Sequence, residues 1–213
     1  MSVLQNKTGR NACPTKMPAR TYDDIAPHYD KAMRPLDRWF LARLRETTFR
    51  YLPEDARILE IGAGTGRNFV YYPTNALSVA SEPSREMLKI ASQKKRSDNV
   101  HLIQSFAEQL PFADDAFDAA FSSLVFCSVA HPREVFAELR RVVKSDGTVI
   151  LLEHVRPNGL LGPVFDLLNL ITVPLFDDHF NRRTAEEAQA SGLHLIKVER
   201  SLLGIINLIS CRV

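Results

Sequence analysis

The chain has 213 residues, 45% of them apolar and 24% charged, which is enough for one α/β domain with a sizeable core and excludes a disordered or fibrous composition. Lys plus Arg (27) nearly cancel Asp plus Glu (25), so the net charge of +2 argues neither for nor against nucleic acid. Cys13, Cys127 and Cys211 are far apart and odd in number, giving neither a disulfide framework nor metal-ligand spacing, as expected of a cytoplasmic protein. No signal peptide is legible. The most apolar stretch, Gly159 to Phe176, is broken by Pro163, Asp166, Asn169 and Pro174 and makes a poor membrane span.

In chain order, residues 1–20 carry Lys7, Arg10, Lys16 and Arg20 with no acid and no periodicity, and predict a mobile basic arm. Thr21 to Asp30 groups aromatics and acids around Pro27. Lys31 to Leu52 predicts a helix with Leu36, Phe40, Leu44 and Phe49 on one face and Lys31, Arg34, Arg38, Arg43, Arg45 and Arg50 elsewhere. This basic front quarter suits an anionic partner, such as a membrane surface or an acidic substrate; a solvated helix face is the plainer alternative.

From Arg57 the pattern alternates strand and helix. Strands are expected at Arg57–Ile61, Ala76–Ser81, Val100–Gln104, Phe117–Ser123 (extending into Leu124–Val129) and Gly147–His154, the last after an Asp146–Gly147 turn. Helices are expected at Asn68–Tyr72, Ser84–Lys95 from a Ser cap, Arg133–Val143, and Thr184–Ser191 ending at Gly192. Leu193–Glu199 and Ile205–Arg212 read as a terminal antiparallel pair turning near Gly204. Strands separated by helices imply a parallel α/β sheet covered on both faces.

The chemistry is concentrated in Glu60-Ile61-Gly62-Ala63-Gly64-Thr65-Gly66, directly after a strand. Gly62 allows a sharp turn, and Gly64 and Gly66 remove side chains where a ligand would lie against the backbone. The spacing is G-x-G-x-G. A dinucleotide fingerprint needs G-x-G-x-x-G, and Arg67 occupies its last glycine position. Glu82 ends the second strand, where an acid can accept hydrogen bonds from both ribose hydroxyls of a nucleoside; it can equally be an acid favoured by the dipole of the Ser84 helix. Ala107-Glu108-Gln109-Leu110-Pro111-Phe112 and the carboxyl end of the Phe117–Ser123 strand border the same crevice.

The ordered set ILEIGAGTGRN, SEPSREML, AEQLPF, FDAAFSSLVFCSV and ELRRVVKSDGTVILLEHV resembles the class I S-adenosylmethionine-dependent methyltransferase family over roughly residues 21–213. The likeness is to the subgroup holding ubiquinone and menaquinone biosynthesis methyltransferases and small bacterial phospholipid methyltransferases. The resemblance implies a Rossmann-like seven-stranded sheet in order 3-2-1-4-5-7-6 with strand 7 antiparallel. It implies one domain with an N-terminal lid and helix (21–52) and a substrate cap (155–183). The Glu60–Gly66 loop would line the cofactor, with Gly62, Gly64 and Gly66 along its methionine and ribose part. Glu82 would take the ribose, Pro83 and Met87 would flank the adenine, Ala107 and Glu108 would border its polar edge, and Ser123 would sit beside the sulfonium. Tyr29 would bond the cofactor carboxylate and Tyr22 would help to close the pocket. Where the family often places Asp or Ser before this Glu, the chain has Phe106, which implies stacking and the Ala107 backbone as the adenine contacts.

Methyl transfer from a sulfonium needs alignment and water exclusion, and a base only where the nucleophile must lose a proton. His154, ending the fifth strand, is the candidate substrate-facing base, with Tyr29 beside it in the catalytic set; Phe126, Arg182 and Arg183 are candidate substrate contacts. No metal is expected. The apolar Gly159–Phe176 stretch favours a lipophilic acceptor, with a phospholipid amine such as phosphatidylethanolamine ahead of a quinone precursor or a hydrophobic thiol. Peripheral contact with an anionic membrane follows from the same reading. Two other classes compete. A nicotinamide oxidoreductase is disfavoured by Arg67, and a non-catalytic cofactor-binding module at a membrane would bind the nucleoside without turnover. Nucleic-acid methylation is disfavoured because Ser123-Leu124-Val125-Phe126 stands where an Asn/Asp-Pro-Pro-aromatic motif would be.

Overall fold

A computed structural model describes residues 18–157, 159, 161–176, 179 and 181–213. Strands β1 (Arg57–Ile61), β2 (Leu77–Glu82), β3 (Val100–Gln104), β4 (Phe117–Ser123), β5 (Val143–His154), β6 (His194–Ser201) and β7 (Ile206–Arg212) form a sheet in order β3-β2-β1-β4-β5-β7-β6. The first five are parallel; β7 runs antiparallel to both β5 and β6. The order and the reversed last strand are those expected from the motif set.

β1 reads RILEI and is buried from its second residue onward, the near-continuous burial of a parallel strand covered on both faces. One core cluster lies between the sheet and α4 (Pro132–Val142), with Phe117, Phe136 and Leu139 fully buried. The other lies under α2 (Ala42–Arg50), where Phe49 meets Phe121 edge-on at 4.8 Å and Tyr72 at 5.3 Å between ring centroids. The chain reverses direction in the strand order between β1 and β4. The carboxyl ends there, at Ile61, Glu82 and Ser123, bound the crevice where α/β sheets bind ligands.

The N-terminal region departs from expectation. Residues 1–17 of the expected arm lie outside the described residues, but Pro18–Arg20 already belong to α1 (Pro18–Leu36), which runs unbroken through Pro27. A mid-helix proline forfeits a backbone hydrogen bond. Here docking compensates: Asp23 accepts from Ser84 Oγ at 2.6 Å, and Asp30 accepts from Thr65 Oγ1 at 2.6 Å and pairs with Lys94 at 2.6 Å. A π-helical turn, Asp37–Leu41, follows. Its extra residue rotates the helix face, so Leu41 takes the core position that the heptad-like reading assigned to Phe40, and Phe40 turns outward.

Other elements shift for local reasons. The helix expected at Asn68–Tyr72 is a single 3₁₀ turn, Phe69–Tyr71. β4 does not extend to Val129: Leu124 adopts φ 59° and ends it. β5 starts at Val143, with Asp146–Gly147 inside an irregular pairing with β4 rather than in a turn before it. α3 (Arg85–Gln93) starts from Ser84, whose hydroxyl accepts the Met87 N–H at 3.1 Å, as expected of a Ser cap. Within the expected cap, α5 (Leu161–Phe176) is held by Asp166 receiving Arg156 in two-pronged fashion and by Asn169 donating to Asn181 at 2.7 Å. α6 (Thr184–Ala190) is preceded by Arg183, without a side-chain cap.

Candidate cofactor and acceptor site

The loop leaving β1 takes positive φ at Gly62, Gly64 and Gly66 (65°, 56° and 77°), a backbone only glycine adopts without strain. The three glycines serve different ends. A Cβ on Gly62 would strike Val125 of the loop after β4, and one on Gly66 would strike the Phe69 ring. A Cβ on Gly64 meets nothing within 4 Å. The sequence reading put both Gly64 and Gly66 against a ligand; the space beside Gly66 is instead filled by protein, and Gly64 alone faces open room.

Glu82, almost fully buried at the end of β2, binds this loop directly. Its carboxylate accepts the Gly64 N–H at 2.8 Å and the Ser84 N–H at 2.9 Å. Burial pushes its pKa up to about 7, against the pull of those two amides. The carboxylate therefore both shapes the crevice and keeps lone pairs for a ligand. Pro83 follows, its carbonyl accepting from Gln104, and Met87 is buried one turn into α3. Beyond β3, Phe106 and Gln109 close a tight bridge that brings a buried Ala107 and a half-buried Glu108 to the same end of the sheet. Ser123 ends β4 with its hydroxyl buried and without a hydrogen-bond partner among the described residues.

Glu60 lies inside a different network. Its fully buried carboxylate accepts from Asn68 and Tyr72, and Arg45 in turn donates to Asn68 at 2.6 Å. Burial raises the Glu60 pKa despite these bonds. Asp37 pairs with Arg45 and Arg67, and Arg67 continues to Asp30 at 2.8 Å. Arg67, which the sequence reading took only as an obstacle to a dinucleotide, is thus the tie between the glycine loop and α1. Tyr22 and Tyr29 of α1 meet edge-on at 6.4 Å, and burial pushes the Tyr29 phenol up to about 12, so it stays a proton donor.

The acceptor side is less unified. His154 ends β5, partly buried, and burial lowers its pKa, leaving a neutral imidazole. Phe126 is corrected: it is fully buried and stacked on Phe136 at 4.6 Å, in the core rather than on a substrate surface. Arg182 donates to the Val129 carbonyl at 2.6 Å and braces the loop after β4. Arg183 is exposed and ion-paired with Glu186. Asn181 accepts from Asn169 at 2.7 Å. Asp177, Asp178 and Phe180 lie outside the described residues.

One group was missed in the sequence. Glu153, fully buried on β5, accepts from Ser122 Oγ at 2.6 Å and from the N–H groups of Val125 and Phe126 at 3.0 and 3.1 Å. It holds the left-handed turn at Leu124, and burial pushes its pKa up to about 7. Its signal was an acid inside an otherwise apolar strand, ILLEHV, since a buried carboxylate must be hydrogen-bonded.

Residues 59–151 match a family model described as a methyltransferase domain. The chain is 34% identical to the demethylmenaquinone methyltransferase of Renibacterium salmoninarum over 65% of this chain and 59% of that protein. It is 35% identical to thiol S-methyltransferase TMT1B of Rattus norvegicus over 49% of this chain and 46% of the relative. The chain thus spans about half the length of the curated relatives it matches. A solved S-adenosylmethionine-dependent methyltransferase from Thermotoga maritima superimposes with a TM-score of 0.70 at 21% identity, over 92% of this chain and 99% of that one, which is a likeness of fold. The domain matched over residues 59–151, the strand order with its reversed last strand and the glycine loop facing a buried acid together make this chain similar to the class I S-adenosylmethionine-dependent methyltransferases, among them those named for menaquinone biosynthesis.

Proposed function

We propose that the protein transfers a methyl group from S-adenosylmethionine to a small lipophilic acceptor. The observation that carries this reading is the Glu82 carboxylate clasping the Gly64 and Ser84 amides at the mouth of an open glycine shelf. The crevice fits an adenosyl sulfonium on two further counts: room at Gly64 with no protein atom to fill it, and the buried hydroxyl of Ser123, without a hydrogen-bond partner among the described residues. When bound, the cofactor supplies an electrophilic methyl on a positively charged sulfur.

The chain's own residues then hold and align. Glu82 accepts from the ribose hydroxyls, Gly64 lets the backbone approach while Gly62 and Gly66 shape the loop against Val125 and Phe69, and Pro83, Met87, Ala107 and Glu108 surround the base. Glu60 acts one step back, fixing Asn68 and Tyr72 beneath the loop. Tyr29, protonated at any physiological pH, donates to the cofactor carboxylate while Tyr22 packs over it. α1 closes the crevice through Asp23 and Asp30, excluding water. His154, neutral, is available to take a proton from an acceptor that must lose one. Residues 21–52 act as lid and 155–183 as cap of a single domain, with Arg182 bracing the wall between them.

The sequence reading placed a phospholipid amine first. The relatives named for menaquinone and thiol methylation favour a quinone precursor or a hydrophobic thiol instead, and the exposed apolar residues of α5 (Val164, Leu167, Leu168 and Leu170) suit either. Glu82→Ala should lower S-adenosylmethionine affinity at least tenfold, about 1.4 kcal/mol or more, by calorimetry; unchanged affinity would refute the ribose role. A labelled-methyl screen against quinol, thiol and phosphatidylethanolamine pools identifies the acceptor, and no transfer to any of them, with the nucleoside still bound, would leave a binding module.

A further inference from the structure

The π-helical turn Asp37–Leu41 does something a regular helix would not. It buries Leu41 completely while turning two consecutive aromatics outward, Trp39 at 73% and Phe40 at 47% exposure. A π turn weakens helix hydrogen bonding and appears mostly where function retains it. Trp39 belongs to neither core cluster of the described residues, and the Arg38 guanidinium lies over its ring, 5.8 Å from the centroid.

The exposed charges from residue 31 to 43 are cationic. Lys31, Arg34, Arg38 and Arg43 are exposed and have no ion-pair partner among the described residues. The nearby acids are engaged elsewhere: Asp37 by Arg45 and Arg67, Glu46 by Arg50, and Asp30 by Lys94 and Arg67. Lys31, Arg34 and Arg38 recur at helical spacing on one face. The turn is rigidly placed, because Asp37 at its start pairs with Arg67, the residue after Gly66.

We propose that this knuckle, Trp39 and Phe40 together with the exposed cations Lys31, Arg34, Arg38 and Arg43 of the same helical segment, seats the protein on an anionic lipid surface and so brings the crevice to the interface where a lipophilic acceptor resides. Amphipathic aromatics settle at the headgroup level, and unpaired cations beside them meet the negative leaflet. A second copy of the chain does not fit, since a self-complementary contact would set these four cations against themselves. The proposal rests on the lipophilic-acceptor reading for its purpose but not for its test.

Trp39 is the only tryptophan in the chain, so its emission reports this turn alone. With the intact protein and vesicles of phosphatidylglycerol mixed with phosphatidylcholine, the emission should shift to the blue and become shielded from iodide. Added salt should reverse both effects. Phosphatidylcholine vesicles alone should leave the spectrum unchanged. Arg34→Gln with Arg38→Gln should weaken partitioning roughly thirtyfold; Phe40→Ser should weaken it while keeping the reporter. An unchanged spectrum with anionic vesicles at low salt overturns the proposal. So does an equal shift with phosphatidylcholine alone or with duplex DNA, or partitioning indifferent to the arginine pair. Calorimetry with S-adenosylmethionine on the same samples separates the two readings: lost nucleoside binding with intact vesicle binding sinks the proposed function and leaves this surface standing, and the converse does the reverse.

Discussion

The two ends of the crevice are built on opposite principles. On the cofactor side every buried charge is engaged. Glu60, Glu82, Asp30, Asp37, Arg45 and Arg67 bond one another, backbone amides or neighbouring polar side chains, and the aromatic cluster of Phe49, Tyr72 and Phe121 backs them. On the acceptor side, α5 presents Val164, Leu167, Leu168 and Leu170 to solvent and is tied down by a few polar contacts, chiefly Arg156 to Asp166 and Asn169 to Asn181. The cofactor half is over-determined, as suits one unvarying ligand. The acceptor half leaves apolar surface uncovered and gains little stability from its own packing, the condition of a segment that adapts to what it binds.

The sharpest test of that contrast falls on the residue joining the halves. Glu153→Ala would strand the Ser122 hydroxyl and the Val125 and Phe126 amides, costing about 3 kcal/mol or more in a denaturant or thermal melt. Glu153→Gln adds a pH test. The folded-state pKa near 7 lies above the ordinary 4.5, so the stability this group contributes is fully present below pH 4.5 and is lost as pH rises through about 7. Gln cannot titrate, so its penalty relative to the parent should be larger at pH 5 than at pH 8. An equal penalty at both would mean the carboxyl is already charged when buried.

Next in size is the cofactor side's own pH dependence. Glu82 is protonated below about 7 in the empty crevice and must be ionised to accept from ribose, so S-adenosylmethionine affinity should fall by up to about tenfold for each pH unit below 7. Calorimetry in buffers of different ionisation heat should detect proton release on binding at pH 6. A flat profile would detach Glu82 from the ligand.

The smallest effect on stability belongs to the cap. Leu167→Ser with Leu170→Ser should change the melting free energy by no more than about 0.5 kcal/mol each, because both side chains are already in water. Methyl transfer to a lipophilic acceptor should nevertheless drop through KM, with nucleoside affinity unchanged. A large loss of stability would show that α5 packs like the rest of the core and erase the contrast.

Legibility in the sequence followed the same divide. β1 and β3 were read to the residue, and β4 to its start but with an extension the Leu124 turn cuts off, because buried parallel strands write themselves as short apolar runs ended by turn residues. The glycine loop and Glu82 were legible because positive φ restricts the residue type and the acid stands at a fixed place after the next strand. Phe40 was misplaced because one extra residue in a π turn shifts the helix phase, and no local pattern marks it. Phe126, named as a candidate substrate contact from its place after β4, lies in the core because the chain turns at Leu124 and stacks it on Phe136. Arg183 looked like an anion ligand until Glu186 took it.

By itself the sequence determined the sheet, its order through the family likeness, and the glycine shelf with the acid facing it. These rest on local rules: backbone dihedrals, hydrophobic period and turn chemistry. Only the tertiary structure decided which charges meet across distance: Glu153 with the turn after β4, Arg67 with α1, and Lys31, Arg34, Arg38 and Arg43 without an ion-pair partner among the described residues. Such pairings depend on atoms dozens of residues apart being brought within a few ångströms, and burial then makes each of them obligatory or leaves it conspicuously undone.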